Sequence, residues 1–368
     1  MLEKGKVSSG QFSVLVIVFT LGSSILVAPS LLAQIAGQDA WIVSLLTVFI
    51  GLSFIYLYQK LASLYPGLTF VEYNEKIFGK WVGKITSVLF LCYFFQLSAI
   101  ELREIGDFLT TQVLVETPIQ MIMLLFLIIS LYAIQLGLEV MTRTVIIFFP
   151  WMAGMLILLV LLTIPEMKPV YIQPVLGEGI LPILKGTYHD LGLPYLELVI
   201  FLMFIPYVSE NEKWKGAFYR GTLIGGILLS IVVVLAIVTL GSDFTARNAY
   251  PSYIVGKKAS FGTFLERIEV IVAIIWFFTV FFKLTICIYG FSLGLAQVLR
   301  LNSFRILLIP LIFLLPSFAL ILHPNIVHFH YFIMKAWTPY SITICFILPL
   351  LLFIVGKLRK NRSDAKDI

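Results

Sequence analysis

Hydrophobic residues run along this chain in stretches of about twenty, separated by short polar connections. A helix rises 1.5 Å per residue, so about 20 residues cross the ~30 Å hydrocarbon layer of a bilayer. The pattern therefore predicts an all-α integral membrane protein with about ten transmembrane helices. The predicted spans cover roughly residues 12–36, 40–59, 86–110, 118–136, 143–164, 189–209, 218–240, 266–290, 303–322 and 337–356.

Composition and charge agree with a multi-pass membrane protein. The 368 residues are 60% hydrophobic and 12% charged, about half the charged fraction of a soluble domain. The net charge is +6, and most Lys and Arg residues lie between the apolar runs. This distribution argues against nucleic acid as a partner and indicates that the lipid bilayer surrounds the protein. About seventeen Lys and Arg fall on one side and about seven on the other, so both termini are predicted to be cytoplasmic.

Ten spans can form two halves of five, and an odd number per half inverts the second half in the membrane. We expect one transmembrane domain over residues 1–368, with a first repeat at about 12–164, a second at about 189–356 and a cytoplasmic tail at 357–368. In inverted-repeat folds, the first helix of each half is often broken near the midplane, where unwound backbone binds a small polar ligand.

Matching interruptions occur in the first and sixth spans, at residues 22–24 (GSS) and 192–194 (GLP). Gly tolerates unwound backbone and Pro removes a helix donor, so freed amides can hold a polar ligand. Close helix packing and a simple proline kink are the alternative explanations. The breaks predict a ligand cavity lined by Gly22, Ser23, Ser24, Ile25, Gly192, Leu193, Tyr195 and Glu101.

Charged residues inside the third span are the second candidate feature. Glu101 lies roughly 22 Å into the hydrocarbon, where each charge costs about 2.5 to 3.5 kcal/mol. Arg103 can pair with Asp107 four residues on, which leaves Glu101 without a base on its own helix. Glu101 should face a polar cavity or a partner helix, with Lys283 and Glu197 as the plausible partners, or be protonated. The candidate gating or ion-coupling residues are Glu101, Arg103, Glu197 and Lys283. A purely structural ion network is the alternative.

Enzyme motifs are absent from the sequence: it has no phosphate-binding loop, no metalloprotease helix and no nucleophile elbow. His323, His328 and His330 lie together in the last outer loop, but carboxylates and cysteines are absent nearby, so we interpret them, together with Tyr331 and Trp337, as part of a polar loop anchored at the interface. We therefore expect neither catalysis nor a metal or organic cofactor.

Six segments spread along the chain resemble the B subunits of spore nutrient germinant receptors. They are residues 6–8 (KVS), 79–83 (GKWVG), 101–103 (ELR), 117–120 (TPIQ), 173–179 (QPVLGEG) and 266–269 (ERIE). That family resembles a branch of the amino acid, polyamine and organocation transporter superfamily, whose fold has two inverted five-helix repeats with broken first and sixth helices. The first break there commonly has the pattern Gly-x-Gly, whereas Ser24 stands here in place of the second Gly.

The resemblance implies a function that composition could not give. It implies a membrane subunit that binds a small nutrient, an amino acid or a sugar, in the spore inner membrane and triggers germination. It also implies assembly with an A subunit and a lipoprotein C subunit. A proton- or sodium-coupled amino acid permease is the alternative, since one fold serves both functions.

Overall fold

A computed structural model describes residues 3, 5–210, 212–259 and 268–364. Those residues form helices and connecting loops, with one isolated bridge between Val7 and Val208 as their only β-structure. The α-helices are α1 (Ser9–Leu21), α2 (Ser24–Ala36), α3 (Ala40–Leu64), α4 (Phe70–Phe78), α5 (Lys80–Gln112), α6 (Ile119–Leu136), α7 (Leu138–Thr163), α8 (Ile180–Asp190), α9 (Lys213–Leu240), α10 (Ser242–Arg247), α11 (Pro251–Lys258), α12 (Glu269–Val298), α13 (Leu308–Leu322), α14 (Ile326–Phe332), α15 (Thr338–Ser341) and α16 (Leu348–Asp364).

The predicted all-α membrane fold is confirmed. Within the described ranges, eight helical segments are long and apolar enough to cross a bilayer. One of the eight, Ser24–Leu64, contains both α2 and α3. With α3 as a span of its own, α1 with α2 and residues 191–207 complete the predicted set, and both are interrupted. Both interruptions fall where the sequence predicts them.

The first span breaks between α1 and α2. Gly22 ends α1 with φ +31°, a conformation that residues with a Cβ rarely adopt. Its amide still donates to the Val18 carbonyl at 2.9 Å, and α2 then starts at Ser24. The chain therefore crosses the membrane as two half-helices of 13 residues each.

The sixth span has almost no α-helical geometry beyond α8. A π-helical turn covers Leu191–Tyr195, and 3₁₀ turns cover Glu197–Met203 and Ile205–Tyr207. Pro194 and Pro206 lie in these turns and cannot donate the backbone hydrogen bonds of a regular helix. The break is therefore longer than the three residues that the sequence indicates.

The broken spans lie at the centre of the protein. Helix α1 packs on α9, α5 packs on α12, and α3 packs on both α8 and α9. Residues 195–205 are buried throughout, whereas α6, α7 and α13 expose large apolar side chains on their outer faces. The polar breaks are thus shielded from lipid by the surrounding helices.

Several boundaries differ from the sequence prediction. The tenth span begins at Ile326 rather than near residue 337, because two π-helical turns, Ile333–Trp337 and Ile342–Ile347, carry the helix through a more polar stretch. The connections before the sixth and eighth spans contain the short helices α8, α10 and α11. Glu266 and Arg267 of the 266–269 segment lie outside the described residues.

Candidate functional site

A buried ion network joins the third, sixth and eighth spans. The Lys283 ammonium on α12 lies 2.8 Å from a Glu101 carboxylate oxygen on α5 and 2.8 Å from a Glu197 oxygen in the sixth span. All three side chains are 1% exposed. Since isolated charges at this depth are costly, their pairing is what makes each of them tolerable. The partners that the sequence suggests for Glu101 do meet it.

Ser23 connects this network to the break in the first span. It occupies the N-cap position of α2 but makes no cap hydrogen bond. Instead its hydroxyl donates to Glu101 at 2.9 Å and lies 3.4 Å from the Lys283 ammonium. The N-terminus of α2 therefore keeps its positive dipole end uncapped beside buried carboxylates.

A small cavity lies between the two breaks. Its free volume is about 10 Å³, close to the minimum that one water molecule needs. Ser24 contributes a buried hydroxyl that has no hydrogen-bond partner in the described structure. The lining side chains come from five spans: Ser23, Ser24, Val27, Leu97, Ile100, Glu101, Glu104, Leu193, Glu197, Lys283, Phe329, Ile333 and Trp337. The cavity is closed in this conformation.

Gly22 permits the close approach of α12 to the first break. A Cβ atom at this position would lie 2.3 Å from the Lys283 Cδ and 2.9 Å from the Phe19 carbonyl oxygen. The Gly22 carbonyl accepts a hydrogen bond from the Thr279 hydroxyl of α12 at 2.9 Å. Because it has no side chain, Gly22 allows the Lys283 stem to pack directly against the break. Gly22 itself does not line the cavity.

Side chains from other spans satisfy the carbonyls freed in the sixth span. The Trp337 indole donates to the Gly192 carbonyl at 2.9 Å, and the Thr338 hydroxyl donates to the His189 carbonyl at 3.3 Å. The Tyr58 hydroxyl of α3 lies 3.3 Å from the Leu196 carbonyl. Irregular backbone at membrane depth requires such partners.

The predicted ligand-binding residues divide into two groups. Ser23, Ser24, Leu193 and Glu101 line the cavity. Gly22, Ile25, Gly192 and Tyr195 do not: the first three lie at the breaks with their carbonyls hydrogen-bonded, and the Tyr195 ring packs against Gly51 and Gly226.

The gating candidates divide as well. Glu101, Glu197 and Lys283 form the ion network. Arg103 lies on another face of α5 and pairs with Asp107 at 2.8 Å. Arg103 is therefore not part of the cavity, although it is buried.

Two lining residues with polar side-chain groups, Glu104 and Trp337, are not among the sequence candidates. Glu104 is buried beside Ser23 and lies on the face of α5 that carries Glu101, three residues earlier, so helical spacing could have identified it. Trp337 had been interpreted as an interfacial anchor, yet it is 1% exposed and hydrogen-bonded to the sixth span. No local sequence pattern distinguishes a buried Trp from an interfacial one.

Sequence comparison places the chain among proteins of bacterial spores. The family model described as "Spore germination protein" matches residues 6–326. Spore germination protein KB of Bacillus subtilis is 30% identical over 302 residues, covering 81% of this chain and 80% of that protein. Spore germination protein YndE of the same organism is 26% identical over 366 residues, covering 97% and 98%.

Structure comparison places the fold among transporters. Mhp1, a nucleobase-cation-symport-1 family transporter solved in a closed conformation with bromovinylhydantoin bound, aligns with a TM-score of 0.68 over 96% of this chain and 90% of its own. MhsT in complex with L-phenylalanine aligns with a TM-score of 0.64 over 96% and 99%. The identities are 11% and 12%, so these likenesses show the fold alone.

Proposed function

The chain belongs to the spore germination protein family, and we propose that it is the membrane subunit of a nutrient germinant receptor, which binds an amino acid or a sugar at the helix breaks and thereby triggers germination. The observation that carries this proposal is the ion network of Lys283, because one ammonium connects three spans beside an uncapped helix N-terminus.

The cavity supports a sensor that changes conformation. A free volume of about 10 Å³ is far too small for an amino acid or a sugar, so a nutrient has to enter a wider conformer. A ligand that binds the wider conformer more tightly shifts the equilibrium toward it. Lys283 has to move as the cavity widens, since it lines the cavity and fixes α12 to the third and sixth spans.

The same proposal makes this chain one subunit of a membrane complex. We propose assembly with an A subunit and a lipoprotein C subunit in the spore inner membrane, with both termini on the core side. The excess of Lys and Arg in the predicted inner connections supports this orientation. Two inverted repeats, at about 12–164 and 189–356, followed by a tail at 357–368, are part of the proposal and place the two breaks in equivalent positions.

The permease alternative is not favoured. The transporter-like fold is common to sensors and pumps, and it cannot choose between them. The related sequences carry spore germination names. The chain's likeness is thus to receptor-type proteins, and we propose no enzymatic step for it.

The test uses a cavity substitution with a matched control. Ser24→Ala removes the unpartnered cavity hydroxyl with little change in size, and Thr20→Val removes a buried α1 hydroxyl that bonds the Val16 carbonyl outside the cavity. Spores carrying each variant are exposed to a panel of amino acids and sugars, and subunit levels are followed by immunoblot.

We expect Ser24→Ala to shift the concentration dependence of one nutrient response at least threefold at normal protein levels, while Thr20→Val leaves it unchanged. Equal responses from Ser24→Ala and the parent spores to every nutrient would show that the cavity does not sense these nutrients.

A further inference from the structure

A second buried carboxyl lies outside the cavity, where α8 meets the π-helical turn of the sixth span. Asp190 is the last residue of α8 and is fully buried. Neither of its carboxylate oxygens receives a hydrogen bond, and it forms no ion pair within the described ranges. An ionised carboxylate left in this state would be strongly destabilising.

The elements around Asp190 offer no counter-charge. Helices α1, α2 and α15 carry no charged side chain, and the only one on α3 is Lys60, about 20 Å along the helix from Thr47. The charged side chains of α9 lie in its first turns, at the opposite end of the helix from the connection to α10. The remaining nearby groups are the exposed Lys185 and Lys335 and the half-buried His189.

The surrounding hydroxyls fit a neutral acid. Thr47 of α3 lies beside Asp190, and its hydroxyl hydrogen is already donated to the Val43 carbonyl at 2.7 Å. While that bond is kept, Thr47 can accept a hydrogen bond from a protonated Asp190. The Tyr195 hydroxyl, also near Asp190, is buried without a partner and can donate to the other oxygen.

We propose that Asp190 is a proton-binding site that holds its proton while the sixth span is packed and releases it when the outer part of this span opens to water. In the release step, the carboxyl O–H bond breaks, the electron pair stays on the carboxylate, and the proton passes to water. The hydrogen bonds from Thr338 to the His189 carbonyl and from Trp337 to the Gly192 carbonyl are the contacts that opening would break.

The site couples external proton concentration to conformation. Because the packed conformer binds the proton and the open one releases it, a lower proton concentration favours opening. Asp190 does not line the cavity, so this coupling is separate from nutrient contact and does not rest on the proposed function.

Infrared spectroscopy of the purified full chain in lipid nanodiscs tests the proposal directly. The carbonyl stretch of a protonated carboxyl is recorded at about pH 6, where an ordinary aspartate is ionised. Wild type is compared with Asp190→Asn and with the matched control Glu104→Gln, which alters another buried carboxyl. We expect a protonated-carboxyl band of which one component disappears in Asp190→Asn and persists in Glu104→Gln.

Two results would overturn the proposal. One is a protonated-carboxyl band unchanged in Asp190→Asn. The other is a component that appears only when sodium is removed, which would identify Asp190 as a sodium ligand. If Asp190→Asn does not fold, wild-type protein with ¹³C-labelled aspartate carboxyls gives the same readout: a shifted band assigns the proton to an aspartate, and an unshifted band contradicts the assignment.

Discussion

A Cβ atom on Gly22 would lie 2.3 Å from the Cδ of Lys283. The lysine stem therefore passes directly over the end of α1, and its ammonium reaches Glu101 and Glu197 beyond the break. Gly22 also has a positive φ, so the backbone conformation and the space left for a side chain both require glycine at this position. The backbone conformation of the break at Gly22 and the position of the Lys283 ammonium in the ion network therefore depend on each other.

Gly22→Ala is expected to lower the free energy of unfolding by about 2 kcal/mol, because it adds backbone strain and displaces Lys283. Thermal unfolding of the detergent-solubilised protein measures the change. Gly154→Ala is the matched control, since Gly154 lies within α7, has no positive φ and has no atom within 4 Å of an added Cβ. Equal unfolding temperatures for the two variants would contradict the close approach.

The ion network makes a second prediction. Lys283→Met leaves Glu101 and Glu197 buried without a counter-charge and should destabilise the protein by about 3–5 kcal/mol. Combining it with Glu101→Gln and Glu197→Gln removes all three charges, so most of the stability should return. The amount of monodisperse protein and its unfolding temperature measure both effects.

A surface pair provides the control for this comparison. Lys215 lies 3.1 Å from Glu212, whose side chain is 83% exposed, so Lys215→Met should cost no more than about 1 kcal/mol. A Lys283→Met loss as small as that of Lys215→Met, or a triple variant less stable than the single one, would show that the network is not held by charge pairing.

Local sequence rules predicted the spans, the positions of both breaks and the meeting of Glu101 with Lys283 and Glu197. Run length, Gly and Pro chemistry and the cost of buried charge are properties of short segments. They could not predict that Trp337 turns inward or that Tyr195 packs away from the cavity, since both depend on which helices are neighbours. The i, i+4 spacing did predict the pairing of Arg103 with Asp107, which keeps Arg103 out of the ion network.

The hydrogen bond from Trp337 to Gly192 makes a third prediction. Trp337→Phe keeps an aromatic ring but removes the donor, which should cost about 0.5–1.5 kcal/mol and loosen the sixth span. Hydrogen exchange followed by mass spectrometry should then show faster exchange in residues 191–207. Trp81→Phe, at a side chain that is 79% exposed, should leave that segment unchanged. Protection of 191–207 equal to wild type in Trp337→Phe would refute the proposed restraint.

The loop between α13 and α14 makes a prediction about pH. His323, between α13 and α14, is fully buried, and neither ring nitrogen has a hydrogen-bond partner in the described residues. Burial, with a smaller contribution from His328, lowers the pKa of His323 to about 4 from its usual value of about 6.5. Between these two values the unfolded chain binds a proton that the folded protein does not, so stability falls as pH falls through this window. Above it, His323 adds no pH dependence.

Unfolding temperatures of wild type and His323→Phe across that window measure the effect. The wild type should lose stability more steeply than His323→Phe, whose ring has the same surroundings of Phe329 and Phe332 but cannot be protonated. His328→Gln, at an exposed neighbour, should retain most of the wild-type slope. Because the three proteins share all their carboxyl groups, only the difference between slopes reports on His323. Identical slopes for wild type and His323→Phe would mean that the imidazole is already protonated, or accessible to water, in the folded protein.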